Sequence, residues 1–253
     1  MSIDLAAHAA RFPSMGGSEL GCYFRQVLPS LPAGSSIVEI GCWLGAGTAQ
    51  LALAIRELGL ADKLSLHCYD FWQASGGEVV DAAAAGVSFA PGQDTLPWVR
   101  SMLEPFGIDI HFHKGAIEAA RWQHGPISFH IDDAAKFPSQ FNHVVHTFGP
   151  SWIPGVTRLL LMDYHLWRKK RLFRRDLRCQ ADFVARYGDH FQPDPQLRDG
   201  REVDFSNEAF HYTRALDFSR APLVPTPVLS RERIPAPVWH LGKALTRPFR
   251  QRG

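Results

Sequence analysis

The stretch IVEIGCWLGAGT, Ile37 to Thr48, passes from a β-branched run through an acid, Glu39, into three glycines, Gly41, Gly45 and Gly47. Glycines directly after a strand let a ligand approach the main chain, and the helix that follows offers free N–H groups to a negative group. The stretch reads as strand, ligand-binding turn and helix; a tight β–α turn with no ligand is the plainer alternative. A nicotinamide fingerprint needs GxGxxG with its middle glycine beside the pyrophosphate. Trp43 stands at that middle position, and the spacing is E-x-G-x-x-x-G instead.

Working outward, two periods alternate along the chain. Leu20, Tyr23, Phe24, Val27, Leu28 and Leu31 recur at helical spacing and stop near Pro32-Ala33-Gly34. Ser36 to Ile40 then reads as a buried strand, Thr48 to Leu58 as a helix and Leu64 to Tyr69 as a second strand. Further on come a helix around Leu96 to Phe106, strands at Ile108 to His113 and Ile127 to Ile131, a helix opened by Pro138 and a strand from Arg158 to Met162. This order predicts a Rossmann-like, doubly wound, mostly parallel α/β sheet with helices on both faces. Ligands bind beyond the carboxyl ends of such strands. Of the five strand ends, those at Glu39, Asp70, Asp132 to Lys136 and Asp163 carry an acid.

Composition narrows the classes. A chain of 253 residues, 45% hydrophobic and 21% charged, can bury a full core. The net charge of +2 gives no whole-protein field for nucleic acid. Cys22, Cys42, Cys68 and Cys179 lack zinc-site or disulfide-scaffold spacing, which suits reduced thiols in a cytoplasm. No export signal or membrane-spanning run is read from the sequence, so a cytoplasmic location is expected.

Glu39-x-Gly41-x-x-x-Gly45 after strand one, Asp70 within CYDFW after strand two and Gly115-Ala116-Ile117-Glu118 after strand three resemble the cofactor site of class I S-adenosylmethionine-dependent methyltransferases. The wording VEIGxWLGAxT is similar to the small-molecule branch that holds catechol and macrocin O-methyltransferases. Asp133-Ala-Ala-Lys136, Ile153-Pro154-Gly155 and Met162-Asp163-Tyr164 are similar to a bacterial group with D-x-x-K and QDY at these places. The matches span Gly34 to Trp167. The resemblance implies S-adenosylmethionine as cofactor, with Glu39 and Gly41 at its methionine part, Asp70 at the ribose hydroxyls and Ala116 near adenine. Trp43, Gly45, Phe71 and Asp133 complete the cofactor-binding set. It also implies an antiparallel C-terminal hairpin from the region Asp189 to Thr213, and an N-terminal helix covering the cofactor.

The expected reaction is methyl transfer to a hydroxyl of a small molecule or glycan. Its catalytic candidates are Asp133, Lys136, Asp163 and His165. A partly desolvated Lys136 would act as base with Asp133, Asp163 orienting; a lysine paired with both carboxylates would stay charged and only orient them. His165 is the backup base, because an unperturbed imidazole titrates at about 6.5. A structural ion-pair network is the rival reading of the same residues. The metal-using members of the branch place paired acidic or amide ligands after strand five, where this chain has Asp163-Tyr164-His165. A hard divalent ion needs more oxygen ligands than these two acids, so no metal is expected. A nicotinamide-dependent oxidoreductase and a non-catalytic cofactor-binding or scaffold protein are the alternatives.

Outside the motifs, His143 and His146 lie one helical turn apart, as a hydrogen-bonded surface or a two-ligand metal face. His111 and His113 fall on one face of a strand and receive no role. Seven of the eleven residues from Arg168 to Arg178 are basic, a solvated helix face or a contact for phosphates or a membrane surface. Pro-rich sequence follows Asp217 and leads into a basic amphipathic tail, a second candidate for peripheral membrane contact. The reading divides the chain into an N-terminal helical cap over 1–33, a methyltransferase domain over 34–217 and a strap with tail over 218–253.

Overall fold

A computed structural model of the chain describes residues 3–14, 20–169, 175–198, 206–220, 222–228 and 230–233. Two short helices, α1 (Leu5–Ala9) and α2 (Gly21–Val27), precede β1 (Ser35–Ile40), α3 (Ala46–Glu57) and β2 (Leu64–Asp70). Next come α4 (Gly76–Ala84), α5 (Leu96–Leu103), β3 (Ile110–Lys114), β4 (Ile127–Asp132), α6 (Pro138–Phe148) and β5 (Arg158–Leu161). The described elements continue with α7 (Cys179–Arg186), β6 (Phe191–Pro193) and β7 (Glu208–Tyr212).

The seven strands form one sheet in the order β3-β2-β1-β4-β5-β7-β6. Strands β1 to β5 pair in parallel, whereas β7 runs antiparallel to both β5 and β6. Chain order reverses between β1 and β4, which opens a crevice at their carboxyl ends. The expected doubly wound sheet and its antiparallel hairpin are both present.

Alternation along β1 and β4 divides the core. Ile37, Phe129 and Ile131 face a layer built on α1, α2, α3 and α5. Val38 and Ile40 face the other layer, with Phe141 and Val145 of α6 and Phe183 of α7. Both strands are buried at every position, which is why they read as continuous apolar runs. Each fully buried Ile or Phe contributes about 1.5–3 kcal/mol of transfer free energy to this arrangement.

One expectation needs revision. Helix α2 packs into the sheet layer: Tyr23 and Phe24 meet Phe129 edge-on at 6.1 and 5.9 Å, and the Tyr23 hydroxyl donates to Asp194 at 2.9 Å. It is core, because its apolar stripe finds the sheet before it could reach a ligand. The basic run shows only 3₁₀ turns at its described ends, Leu166–Arg168 and Asp176–Arg178, and its residues 170–174 lie outside the described set. His143 and His146 are hydrogen-bonded to the carbonyls of Ala120 and Phe218, at 3.1 and 2.8 Å, as the hydrogen-bonded reading expects.

The described part of the Pro-rich segment docks on α6. Leu223 and Val224 are buried, and the Asn142 side chain both donates to and accepts from the Val224 main chain, at 2.7 and 2.8 Å. Ser139 N at the start of α6 donates to the Glu232 carboxylate at 3.1 Å. The basic tail lies within 234–253, outside the described residues. Among the described residues no helix is long and apolar enough to cross a membrane.

Candidate active site at the carboxyl edge of the sheet

A cavity of about 900 Å³ opens over the carboxyl ends of β1, β2, β3 and β4. Gly41, Trp43, Asp70, Phe71, Ala116 and Asp133 line it, six of the eight expected cofactor residues. Glu39 and Gly45 lie behind it.

The turn after β1 explains its own glycines. Gly41 has φ +89°, and a Cβ there would sit 3.0 Å from Ala134 N and from the carbonyl carbon of Asp133. The bare backbone is what lets the β1 and β4 turns touch. Gly45 caps α3 in the left-handed region at φ +83°, where a Cβ would also meet Val99 at 3.3 Å. Trp43, between them, is left-handed as well, at φ +46°. That costs a non-glycine residue on the order of 1–3 kcal/mol unless its surroundings hold it there.

Asp70 supplies the hold. Its Oδ2 accepts from Trp43 N at 2.8 Å and its Oδ1 from Trp72 N at 2.7 Å. Trp72 is left-handed too, at φ +44°. One carboxylate thus pins two strained tryptophan backbones on either side of the cavity mouth. Beside it the Phe71 ring is 54% exposed, an aromatic face turned to solvent where most aromatics are buried. Ala116 lies beyond β3, after Gly115 N donates to Asp70 O at 3.0 Å.

Glu39 is 5% exposed and points into the α3 layer, where Thr48 Oγ1 donates to its Oε2 at 2.5 Å. A Cβ on Gly47 would come within 2.5 Å of Glu39 Oε1, so this glycine makes room for the acid. Burial pushes the Glu39 carboxyl up to about 7, against the hydrogen bond from Thr48. The folded state therefore binds a proton that the unfolded chain, titrating near 4.5, has released. Stability from this group is present below pH 4.5 and declines as pH rises to about 7. Glu39→Gln is expected to remove that decline, seen as a smaller fall in melting temperature between pH 5 and pH 8 than the parent shows. Equal falls in the two proteins would refute the assignment.

Beyond β4 and β5 three charges meet. Lys136 Nζ lies 2.8 Å from Asp133 Oδ1 and 2.5 Å from Asp163 Oδ2. Asp163 reaches the lysine from a left-handed backbone, φ +69°, at the end of β5. Burial alone would lower the lysine's pKa, but the two carboxylates outweigh it and raise it above the usual ammonium value. Lys136 is consequently charged at neutral pH, and the expectation that it takes a proton as base is withdrawn. Asp133 is raised as well, but by burial, with Lys136 opposing. His165 turns to Glu208 on β7, at 3.3 Å, and does not line the cavity. Desolvation lowers its pKa.

The neighbouring acid, Asp132, is not among the site residues that the sequence motifs point to. It is fully buried, and its Oδ1 accepts from Ala134 N and Ala135 N at 3.1 and 2.9 Å. This turn swings the chain off β4 and sets Asp133 on the cavity wall. The Asp-Asp doublet at a strand end was its only sequence signal, because a carboxylate there can accept from the amides two and three residues on.

No protein-family model matches the chain, and no curated protein matches it in sequence. Among solved structures the chain is similar to the O-methyltransferase NovP, with TM-score 0.57 and 13% identity over 80% of this chain and 83% of that one. It also aligns with the calicheamicin methyltransferase CalS11, with TM-score 0.49 and 12% identity over 83% and 79% of the two chains. For an rRNA methylase from Streptococcus thermophilus the values are TM-score 0.44, 14% identity, and 77% and 94%. The sheet order, the antiparallel hairpin and the likeness to NovP show that this chain has the Rossmann-like methyltransferase fold.

Proposed function

We propose that the chain is an S-adenosylmethionine-dependent O-methyltransferase acting on a hydroxyl of a small molecule or sugar. The observation that carries this reading is the meeting, on one cavity, of the bare Gly41 turn, the Asp70 carboxylate and an Asp133 carboxylate backed by Lys136. The cavity volume suits a nucleoside-sized ligand with a small acceptor. NovP, whose fold the chain shares, is an O-methyltransferase.

The residues fit the cofactor. Gly41 lines the cavity, and its missing Cβ lets the β1 turn close against the β4 turn at the cavity wall. Asp70 uses one lone pair of each oxygen on a backbone amide, and a carboxylate carries further acceptor sites for a ribose diol. Phe71 offers its exposed ring to adenine, and the small Ala116 lines the same cavity. Glu39 and Gly45 act from behind, Glu39 on Thr48 and Gly45 at the start of α3. When bound, the cofactor supplies an electrophilic sulfonium methyl group. Asp133 accepts the proton of the acceptor hydroxyl, Lys136 keeps that carboxylate aimed, and Asp163 holds Lys136. His165 serves as a positioning residue with Glu208.

The decisive measurement is calorimetric titration of the full chain with S-adenosylhomocysteine and, separately, with NADH. Binding of the first at one per chain and none of the second is expected; the reverse would establish the oxidoreductase alternative. Methyl transfer should continue in EDTA, because the Lys136 ammonium occupies the space between Asp133 and Asp163 where a divalent ion would sit. Loss in EDTA with recovery on adding Mg²⁺ would place those acids on a metal. A cytoplasmic location and a membrane contact through the basic run and tail belong to the same proposal, and cell fractionation of the full chain against one ending at residue 233 checks both.

A further inference from the structure

The parallel register of β2 and β3 places His67 opposite His111 and Tyr69 opposite His113. The turn before β4 folds His124 back over the same face. The His67 ring stacks on His111 at 4.5 Å and lies 5.4 Å from His113 and 4.8 Å from His124, with Trp122 edge-on at 4.9 Å. One nitrogen from each of His67, His113 and His124 lies within 4.8 Å of the others.

Two of the three already stand at ligand spacing. His67 Nδ1 and His113 Nε2 are 3.1 Å apart. A tetrahedral zinc ion with Zn–N bonds of 2.0–2.1 Å sets its ligand nitrogens about 3.3 Å apart. As a hydrogen bond, that contact uses one ring proton. A tautomer shift moves the proton to the ring's outer nitrogen and frees both inward lone pairs. His124 has only to close a short gap, and it is exposed on a turn, so its ring is free to swing. His113 and His124 line the cavity, which leaves a fourth position open to water. The other cluster of this kind among the described residues, Glu39 with Cys42 and Cys68, is buried.

We propose that His67, His113 and His124 form a three-histidine site for a borderline divalent cation, zinc above all, on the wall of the cavity. Imidazole-only donors select zinc, nickel and copper over magnesium and calcium. The site rests on these imidazoles alone and stands apart from the methyl-transfer reading.

The test is titration of the full chain, free of affinity-tag histidines, with Zn²⁺ in competition with a chromophoric chelator. Uptake of one Zn²⁺ per chain is expected, and Co²⁺ in its place should give the intense visible bands of a tetrahedral ion. His124→Ala and His113→Ala should each weaken Zn²⁺ affinity by at least about tenfold, as loss of even an outer-shell partner does at other sites. Both side chains reach solvent, so neither change should unfold the protein, and circular dichroism checks this. His143→Ala, outside the cluster, should bind as the parent does. Absence of stoichiometric uptake, or undiminished affinity in folded His124→Ala and His113→Ala, would show the cluster to be a hydrogen-bonded ring stack and overturn the site. An octahedral cobalt spectrum would do the same.

Discussion

Asp70→Ala is expected to weaken S-adenosylhomocysteine binding by about 2–3 kcal/mol, roughly 30- to 150-fold at room temperature. Two losses add. The first is the charge-assisted hydrogen bond to the ribose, worth about 1.5–3 kcal/mol by itself. The second is structural: the amides of Trp43 and Trp72 lose their shared acceptor, and both residues hold left-handed backbones. Without that acceptor the turn can relax toward ordinary φ values, and binding must then restore its shape. Calorimetry with Asp70→Ala beside Asp70→Asn separates the two losses. The amide keeps one acceptor oxygen, so it should recover part of the turn and little of the diol contact. Unchanged affinity in both variants would remove Asp70 from the site.

Asp133→Asn should lower kcat by about 10² or more, the range spanned by loss of a general base, while leaving the cofactor's Kd within a few-fold. Asparagine keeps the shape and the contact to Lys136 Nζ but cannot accept a proton. Lys136→Met asks a different question. It leaves Asp133 and Asp163 facing each other without their shared cation, and one of them must take up a proton to relieve the repulsion. In that variant the folded-state pKa lies well above the unfolded value of about 3.9, so the stability contribution is present at low pH and is lost as pH rises through the folded pKa. A melting temperature higher at pH 5 than at pH 8, relative to the parent, is the expected signature. Removing one partner of a buried pair costs about 3–5 kcal/mol; the Asp133 side chain is 37% exposed, so about 1–2 kcal/mol is expected here. If Asp133→Asn retains full kcat and His165→Ala loses it, the proton goes to the histidine instead.

Local pattern carried the parallel sheet, because alternation between strand and helix periods is written in neighbouring residues. The run from Ile37 to Thr48 marked the turn, and Trp43 in the middle of it set the chain apart from dinucleotide binders. Asp70 and Asp133 were legible for the same reason: each stands at a strand end, where a parallel sheet presents its ligands. Direction was not legible. Glu39 sits in the motif yet turns into the α3 layer, since side-chain period along a strand assigns it to that face and Thr48 is there to receive it. Whether Lys136 would be a base or a fixed cation depended on whether one or two carboxylates reached it. That was decided by a left-handed backbone at Asp163, just beyond β5. The histidines show the limit most clearly. His67, His113 and His124 are separated by long stretches of chain, and only the β2–β3 register and the turn before β4 bring their rings together, because sheet pairing joins residues that no local spacing relates.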